Sequence, residues 1–360
     1  MKIIHCADLH LESRMTSNLS ADKARERRSE LLETFRRMVE YAAENGIRAV
    51  IIAGDMFDTK KATLSARNRV RAAIEGNPGL DFYYLRGNHD ADNFLGHSEE
   101  IPKNLHLFGA EWTSYELPGG VTVTGAEPDG SEGIYSSLRL DPSKVNIVVM
   151  HGQESDQSGP DLVCLRELQN RGIDYLALGH VHFYKEDKLD SRGRYCYPGC
   201  LEGRGFDECG EHGFVLLNID ESGRVTSEFV AFARRRLYAP EIDITGCMTT
   251  DDIAGRIKLR LSEEGCEPGS LIKLVLTGRV DVECEKNSEL LMSRFKDNYY
   301  FVKIDDRSTL RVDYEAFMGD VSLKGEFIRA VRAAEGLSDE EKAEIIRCGI
   351  HALMGEEIEI

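Results

Sequence analysis

The sequence predicts a layered α/β domain, followed by a smaller α+β unit and a helical C-terminal segment. Two observations carry the first part. Four short apolar runs, at residues 50–53, 82–85, 147–150 and 175–178, alternate with amphipathic stretches, and each run is followed, directly or after one residue, by Gly or His. Short apolar runs bounded by turn residues suit strands buried on both faces, and their alternation with helices is the mark of packed α/β layers. A third observation bounds the domain: after His182 the pattern changes to short strands separated by Gly-containing turns.

Taken in order, an apolar strand-like run leads from the N-terminus to Asp8. Ser20 is placed to cap a helix over residues 20–45, whose Leu31, Leu32, Phe35, Met38 and Val39 recur at helical spacing. Its Arg25, Arg27, Arg28, Arg36 and Arg37 alternate with glutamates and read as a solvated face. A second helix is expected over 63–75. Beyond His182, strands are expected at 184–190, 194–197, 213–220 and 225–232, with turns at 191–193 and 221–223. Arg234-Arg235-Arg236 and Pro240 mark a linker and a boundary. The second unit reads as strand 237–244, helix 250–264, strand 270–280, helix 286–296 and strand 299–304. Helices over 322–335 and 339–354 close the chain, the second opened by the capping box Ser338-Asp339-Glu340-Glu341. Phe327, Ile328 and Val331 on the first, and Ile345, Ile346, Ile350 and Leu353 on the second, form apolar stripes. The expected organisation is therefore 1–236, 237–320 and 321–360.

Composition narrows the function. Apolar residues at 41% and charged residues at 30% are ordinary for a globular protein. The N-terminal apolar stretch is too short for a signal-peptide core and ends in a candidate ligand, and nothing points to a membrane. Nine cysteines, odd in number and without a CxxC pair, argue against a disulfide framework and for a reducing cytoplasm. The formal charge of −18 excludes a globally basic nucleic-acid binder, and none of the three segments is basic overall. Any grip on a polyanion must be local.

The chemistry sits at the strand ends: Asp8-Leu9-His10, Gly54-Asp55-Met56-Phe57-Asp58, Gly87-Asn88-His89-Asp90, His151-Gly152 and Gly179-His180-Val181-His182. Carboxylate, amide and imidazole donors without thiolates suit hard or borderline divalent cations such as Mn²⁺. Asp8 and His10, like His180 and His182, are two residues apart, so an extended backbone would point both side chains of each pair one way. Two cations roughly 3.5–4 Å apart can share a bridging carboxylate and acidify a water that attacks phosphorus. Asp55, after the most apolar run, is the expected bridge. His89, beside the amide Asn88, is expected either to protonate the leaving oxygen or to stabilise the transition state. Asp58 and Asp90 either orient ligands or cap turns. His5, His97, His106, His212 and His351 lack a partner at ligand spacing and read as structural. The loop over residues 91–97 follows the site and serves either substrate contact or loop ordering.

These five fragments resemble the calcineurin-like metallophosphoesterase superfamily, with its D-x-H, G-D-x-x-D, G-N-H-D/E, H and G-H-x-H pattern. More narrowly, residues 5–11, 54–58 and 197–208 resemble SbcD-type DNA repair nucleases. The resemblance implies a four-layer αββα catalytic domain, a small capping domain, and a C-terminal segment that docks an SbcC-like coiled-coil ATPase; it also implies a homodimer. It implies one cation on Asp8, His10, Asp55 and His182, a second on Asp55, Asn88, His151 and His180, and His89 as the catalytic histidine. Leu11 is followed by Glu12 where the family commonly has glycine, and Cys200 stands where serine is usual. The expected function is a Mn²⁺-dependent DNA exonuclease and endonuclease in repair. The alternatives are a phosphodiesterase or phosphatase for nucleotides and other small phosphoesters, which the acidic balance would suit, and a binding subunit that chiefly anchors the ATPase.

Overall fold

The computed structural model describes residues 1–15, 19–58, 62–90, 100–127, 133–157, 159–315 and 317–354. The chain divides into two compact units, Met1–Arg236 and Leu237–Ile360.

In the first unit, the elements in chain order are β1 (Lys2–Cys6), α1 (Ala21–Glu44), β2 (Ala49–Ala53), α2 (Leu64–Glu75), β3 (Asp81–Leu85), β4 (Leu105–Leu107), β5 (Thr113–Leu117), β6 (Val121–Gly125), α3 (Gly133–Ser137), β7 (Val145–His151), β8 (Gln153–Ser155), β9 (Leu162–Cys164), α4 (Leu165–Leu168), β10 (Tyr175–Gly179), β11 (Lys185–Lys188), β12 (Arg194–Tyr197), β13 (Gly213–Ile219) and β14 (Val225–Ala231). They form two six-stranded sheets, ordered β14-β13-β1-β2-β3-β4 and β11-β12-β10-β7-β6-β5. Side chains alternate along each strand, and the alternation builds four layers. Ile4, Val50, Ile52 and Phe82 face α1 and α2, packing on Leu31, Phe35, Val70 and Ile74. Ile3, Ile51 and Tyr83 face the other way, against Val123, Ile147, Val149 and Ala177 of the second sheet. Val148, Leu176 and Leu178 look outward from that sheet onto Ile134, Tyr135 and Leu168. The architecture is thus helix, sheet, sheet, helix.

Parallel pairing aligns the carboxyl ends of β1, β2 and β3 in one sheet and of β7 and β10 in the other, and contacts of His151 with Asp55 and of His180 N with Asp8 bring the two sets of ends to one rim. Ser20 caps α1, its side chain accepting from Lys23 N. Sequence periodicity missed β4, β5 and β6. The cause is visible in β5, whose half-exposed Thr-Ser-Tyr-Glu-Leu lacks an apolar run.

The helix α1 corrects one expectation. Arg27 does not lie on a solvated face; it is buried with Glu30 and Glu202. Its guanidinium donates to Glu30 Oε2 at 2.6 Å, to Glu202 Oε2 at 3.3 Å and to Gly203 O at 2.8 Å. The arginine triplet corrects another, since it is no free linker. Arg234 N donates to Glu202 Oε1, Arg235 pairs with Glu30 at 2.7 Å, and Arg236 pairs with Glu211.

In the second unit the elements are β15 (Leu237–Tyr238), β16 (Glu241–Asp243), α5 (Thr250–Glu263), β17 (Leu271–Thr277), β18 (Arg279–Asp281), α6 (Ser288–Phe295), β19 (Phe301–Asp306), β20 (Thr309–Arg311), α7 (Leu323–Ala333) and α8 (Asp339–Met354). The single strand expected over 237–244 is two, because Pro240 between them has no N–H to give the ladder, although its carbonyl still accepts from Val275 N at 3.0 Å. The strand expected over 270–280 also breaks, at Gly278 with φ +96°. Strand β17 is flanked by β15 and β16 and by β19, all parallel to it. Ile328 and Val331 of α7 and Ile346 and Ile350 of α8 bury against Val282 and Phe317, whereas Leu353 stays exposed. Ser338 Oγ accepts from Glu341 N, and the Glu341 carboxylate accepts from Ser338 N, completing the capping box. No helix among the described residues is long and apolar enough to cross a membrane.

Candidate active site

Five loops at the rim of the two sheets bring the predicted side chains together. The loop after β1 is laced to the loop after β2: Asp8 N donates to Gly54 O, His10 N to Asp55 O and Leu11 N to Met56 O, at 2.9–3.1 Å. The lacing replaces the extended backbone expected at these positions with left-handed residues, Asp8 at φ +51°, His10 at +41° and Asp55 at +49°, and His180 lies at +101°. Such conformations cost roughly 1–3 kcal/mol each for residues with a side chain, and they concentrate at functional sites. Glu12, where the family favours glycine, is also left-handed at +66°. Its carboxylate offsets that cost by accepting from Thr63 N at 2.6 Å and Thr63 Oγ1 at 2.5 Å, at the start of α2.

Three glycines let the loops nest. A Cβ on Gly54 would stand 2.1 Å from His151 Nδ1, one on Gly87 2.1 Å from Asp55 Oδ1, and one on Gly179 1.9 Å from Ala53 O.

The donor atoms converge in overlapping groups. Asp8, His10 and His182 offer atoms within 4.8 Å of one another, as do Asp8, Asp55 and His151, and as do His10, Asp58 and His89. Asp55 Oδ2 lies between the first two groups, 3.7 Å from His10 Nε2 and 3.5 Å from His151 Nε2. Asn88 Oδ1 is 3.2 Å from His151 Nε2. His180 stands against His151 edge to face, ring centres 5.4 Å apart, and its backbone N–H donates to both oxygens of Asp8. His89 is exposed, its ring 5.2 Å from that of His10 and its backbone N–H donating to Asp55 Oδ1.

The electrostatics ask for cations. Asp8 and Asp55 are both buried, and burial, reinforced by the neighbouring Asp55 charge, pushes the Asp8 carboxyl well above the usual range. Burial also lowers the basicity of His10 and His151. His182 Nδ1 is hydrogen-bonded to Glu208 Oε1 at 2.8 Å and its Nε2 meets His10 Nε2 at 3.2 Å, while the buried His10 Nδ1 lies 3.2 Å from Asp58 Oδ1 without hydrogen-bond alignment. Converging imidazoles and clustered buried carboxylates of this kind fit a divalent ion on each side of Asp55.

The two secondary aspartates separate in role. Asp90 accepts from Met56 N, Phe57 N and Gly87 N at 3.0–3.2 Å and so ties two loops; burial lifts its pKa to about 6. Asp58 Oδ1 instead lies 3.2 Å from His10 Nδ1. Sequence reasoning assigned no role to Arg204 and Glu208, although both lie in the 197–208 segment that carries the family resemblance. Glu208 Oε1 is 2.8 Å from His182 Nδ1. A cleft of about 320 Å³ adjoins the cluster, lined by Ser13, Arg14, Asp58, Arg204, Asp207 and Glu208.

The histidines left as structural behave so where they are described. His5 Nδ1 meets the Tyr175 hydroxyl, His106 stacks on Tyr83, and His212 bonds Glu208 O. Residues 91–97, including His97, lie outside the described residues, and so does the side chain of His351.

A family model described as calcineurin-like phosphoesterase matches residues 1–184. Among individual proteins, the chain is 27% identical over 246 residues to the uncharacterized metallophosphoesterase YhaO of Bacillus subtilis, covering 64% of this chain and 60% of that protein. It is 26% identical over 323 residues to the DNA double-strand break repair protein Mre11 of Methanopyrus kandleri, covering 79% and 67%. To the protein of the same name in Aeropyrum pernix it is 27% identical over 271 residues, covering 68% and 64%. The chain thus spans about 60–67% of the length of these relatives.

Proposed function

The chain belongs to the calcineurin-like phosphoesterase family, and on that premise we propose that it is a two-metal phosphodiesterase that cleaves DNA, as exonuclease and endonuclease, in double-strand-break repair. The observation that carries the proposal is Asp55, one carboxylate oxygen within 3.7 Å of imidazoles on both sides of it. Asp8, His10, Asp55 and His182 would hold one cation, and Asp55, Asn88, His151 and His180 the other, with Mn²⁺ suited to this donor set. A bound pair supplies positive charge to a phosphoryl oxygen and acidity to a water.

The chain's own residues do the rest. His89, anchored through its backbone to Asp55 and exposed beside His10, reaches the leaving sugar oxygen and protonates it. Asp58 holds the His10 ring, and Asp90 keeps the loops after β2 and β3 in register. DNA as substrate is supported by relatives named for double-strand break repair. Residues 237–320 form the capping part in this reading. Residues 321–360 dock a long coiled-coil ATPase, and the exposed Leu323, Ile345 and Leu353 are available for that contact. A homodimer and a cytoplasmic setting complete the proposal.

His89→Ala tests it: Mn²⁺-dependent cleavage of duplex and single-stranded DNA should vanish while the bound metal content stays unchanged. The net charge of −18 favours a second reading, hydrolysis of nucleotides or other small phosphodiesters. Cleavage confined to such substrates would replace the first reading by the second. For the partner, deletion of 321–360 should abolish copurification of the ATPase and leave hydrolysis of short substrates intact.

A further inference from the structure

Two imidazoles of the site have a carboxylate behind them: His182 Nδ1 is hydrogen-bonded to Glu208 Oε1 at 2.8 Å, and His10 Nδ1 has Asp58 Oδ1 at 3.2 Å, a close ion-pair contact without hydrogen-bond alignment. Both carboxylates are held in turn by one guanidinium. Arg204 Nη1 donates to Asp58 Oδ1 at 3.2 Å and Nη2 to Glu208 Oε1 at 2.6 Å, while the Arg204 backbone N–H donates to Glu208 Oε2 at 2.7 Å. Nη2 also lies 3.0 Å from His182 Nδ1, so the guanidinium and the ring nitrogen converge on the same glutamate oxygen. His151 has no such support; its Nδ1 meets the backbone carbonyl of Ala53 at 2.8 Å.

We propose that Arg204 is a positioning residue that sets the orientation of His10 and His182 together, and so maintains the binding geometry of one cation position, that of Asp8, His10 and His182. The inference rests on the two-cation reading above. Its physical basis is the planar fork of arginine, which fixes the angle between two acceptors as no flexible ammonium can. With the carboxylates held still, the His182 ring keeps Nδ1 on Glu208 and the His10 ring keeps Nδ1 beside Asp58, so that both Nε2 atoms stay pointed inward.

Charge and geometry make opposite forecasts here. A positive side chain close to a cation position weakens cation binding by Coulomb repulsion, so a bystander arginine would be better removed. A positioning arginine would not.

The test is a titration of the metal-free full chain with Mn²⁺, by calorimetry and with a count of bound ions, comparing wild type with Arg204→Lys and Arg204→Met. Lysine keeps the charge and loses the second arm. Two equivalents are expected for wild type, and in both variants one of the two should weaken by about 10–100-fold while the other holds. Unchanged binding in Arg204→Lys with tighter binding in Arg204→Met would overturn the inference, and so would equal weakening of both equivalents. Should the arginine variants fail to fold, Asp58→Asn and Glu208→Gln each free one ring and should weaken that same single equivalent; their silence overturns it too. A wild-type chain that binds no Mn²⁺ would instead overturn the two-cation reading itself.

Discussion

Substituting Arg27 by Met removes the central cation of a buried network and keeps the length of the side chain. Arg27 and Glu202 are each about 1% exposed and Glu30 about 5%, so the consequence depends on what each glutamate has left. Glu30 keeps Arg235 at 2.7 Å and stays compensated. Glu202 keeps two neutral donors, Thr34 Oγ1 at 2.7 Å and Arg234 N, but loses its nearest guanidinium. One buried carboxylate is left without a counter-charge, a change that costs about 3–5 kcal/mol. For a unit of this size each kcal/mol lowers the melting temperature by roughly 2–4 °C, so the loss should be about 6–20 °C. Glu202→Gln, which removes the charge and keeps an acceptor for Thr34, should cost less, about 1–3 kcal/mol. In the double variant no unpaired carboxylate remains, and the two costs should fall short of additive by at least about 1 kcal/mol. Thermal and urea unfolding of the four proteins reads this directly. A single-variant cost below about 1 kcal/mol, or strict additivity, would refute the assignment of Glu202 as the charge that Arg27 neutralises.

Other outcomes follow from the same geometry. Glu12→Ala keeps the left-handed backbone and loses both bonds to Thr63, whereas Glu12→Gly loses the bonds and relieves the backbone; urea unfolding should find the Gly variant more stable by about 1 kcal/mol. Asp55→Asn should raise the melting temperature of the metal-free protein by removing the repulsion with Asp8, and should abolish the wild-type gain at 100-fold excess of Mn²⁺ over Kd, about 2.7 kcal/mol per ion; a gain that persists refutes the bridging role. Glu30 is pushed up by burial, but Arg235 and Arg27 outweigh that and hold it below its ordinary 4.5. The unfolded chain therefore binds the proton more readily. This group's contribution is full above pH about 4.5 and disappears as pH falls through the lower folded value; Glu30→Gln should flatten that limb of the stability curve.

Much of the first unit was legible because buried parallel strands leave little choice of composition. The runs before Gly54, Gly87, His151 and Gly179 are apolar on both faces, and each strand end then exposes a short polar turn that shows plainly in the sequence. The layer order came from the family resemblance, and the packing of Ile4 against α1 and of Ile3 against the second sheet supplies its physical form. What was illegible depends on distant or backbone geometry. Arg27 and Glu30 have the same i, i+3 spacing as an exposed pair, and their distant partners, Glu202 on Arg27 and Arg235 on Glu30, lie 175 and 205 residues away. Glu208 supports His182 from 26 positions along the chain. The left-handed Asp8 and His10 arise from lacing to the loop after β2, which local sequence does not encode. Strand β4 has only three residues and β5 is half-exposed and polar, whereas β6 does alternate, as Val-Thr-Val-Thr, and was missed for its brevity.

The nested glycines 54, 87 and 179 have a practical corollary. Each marks a place where another loop already occupies the volume a methyl would take, with the intruding atom at 1.9–2.1 Å. An alanine survey of this protein would therefore report three inert residues with the same phenotype as lost ligands. Activity alone would enrol them among the chemical groups, and only the crowding around their α-carbons reveals that their contribution is vacant space.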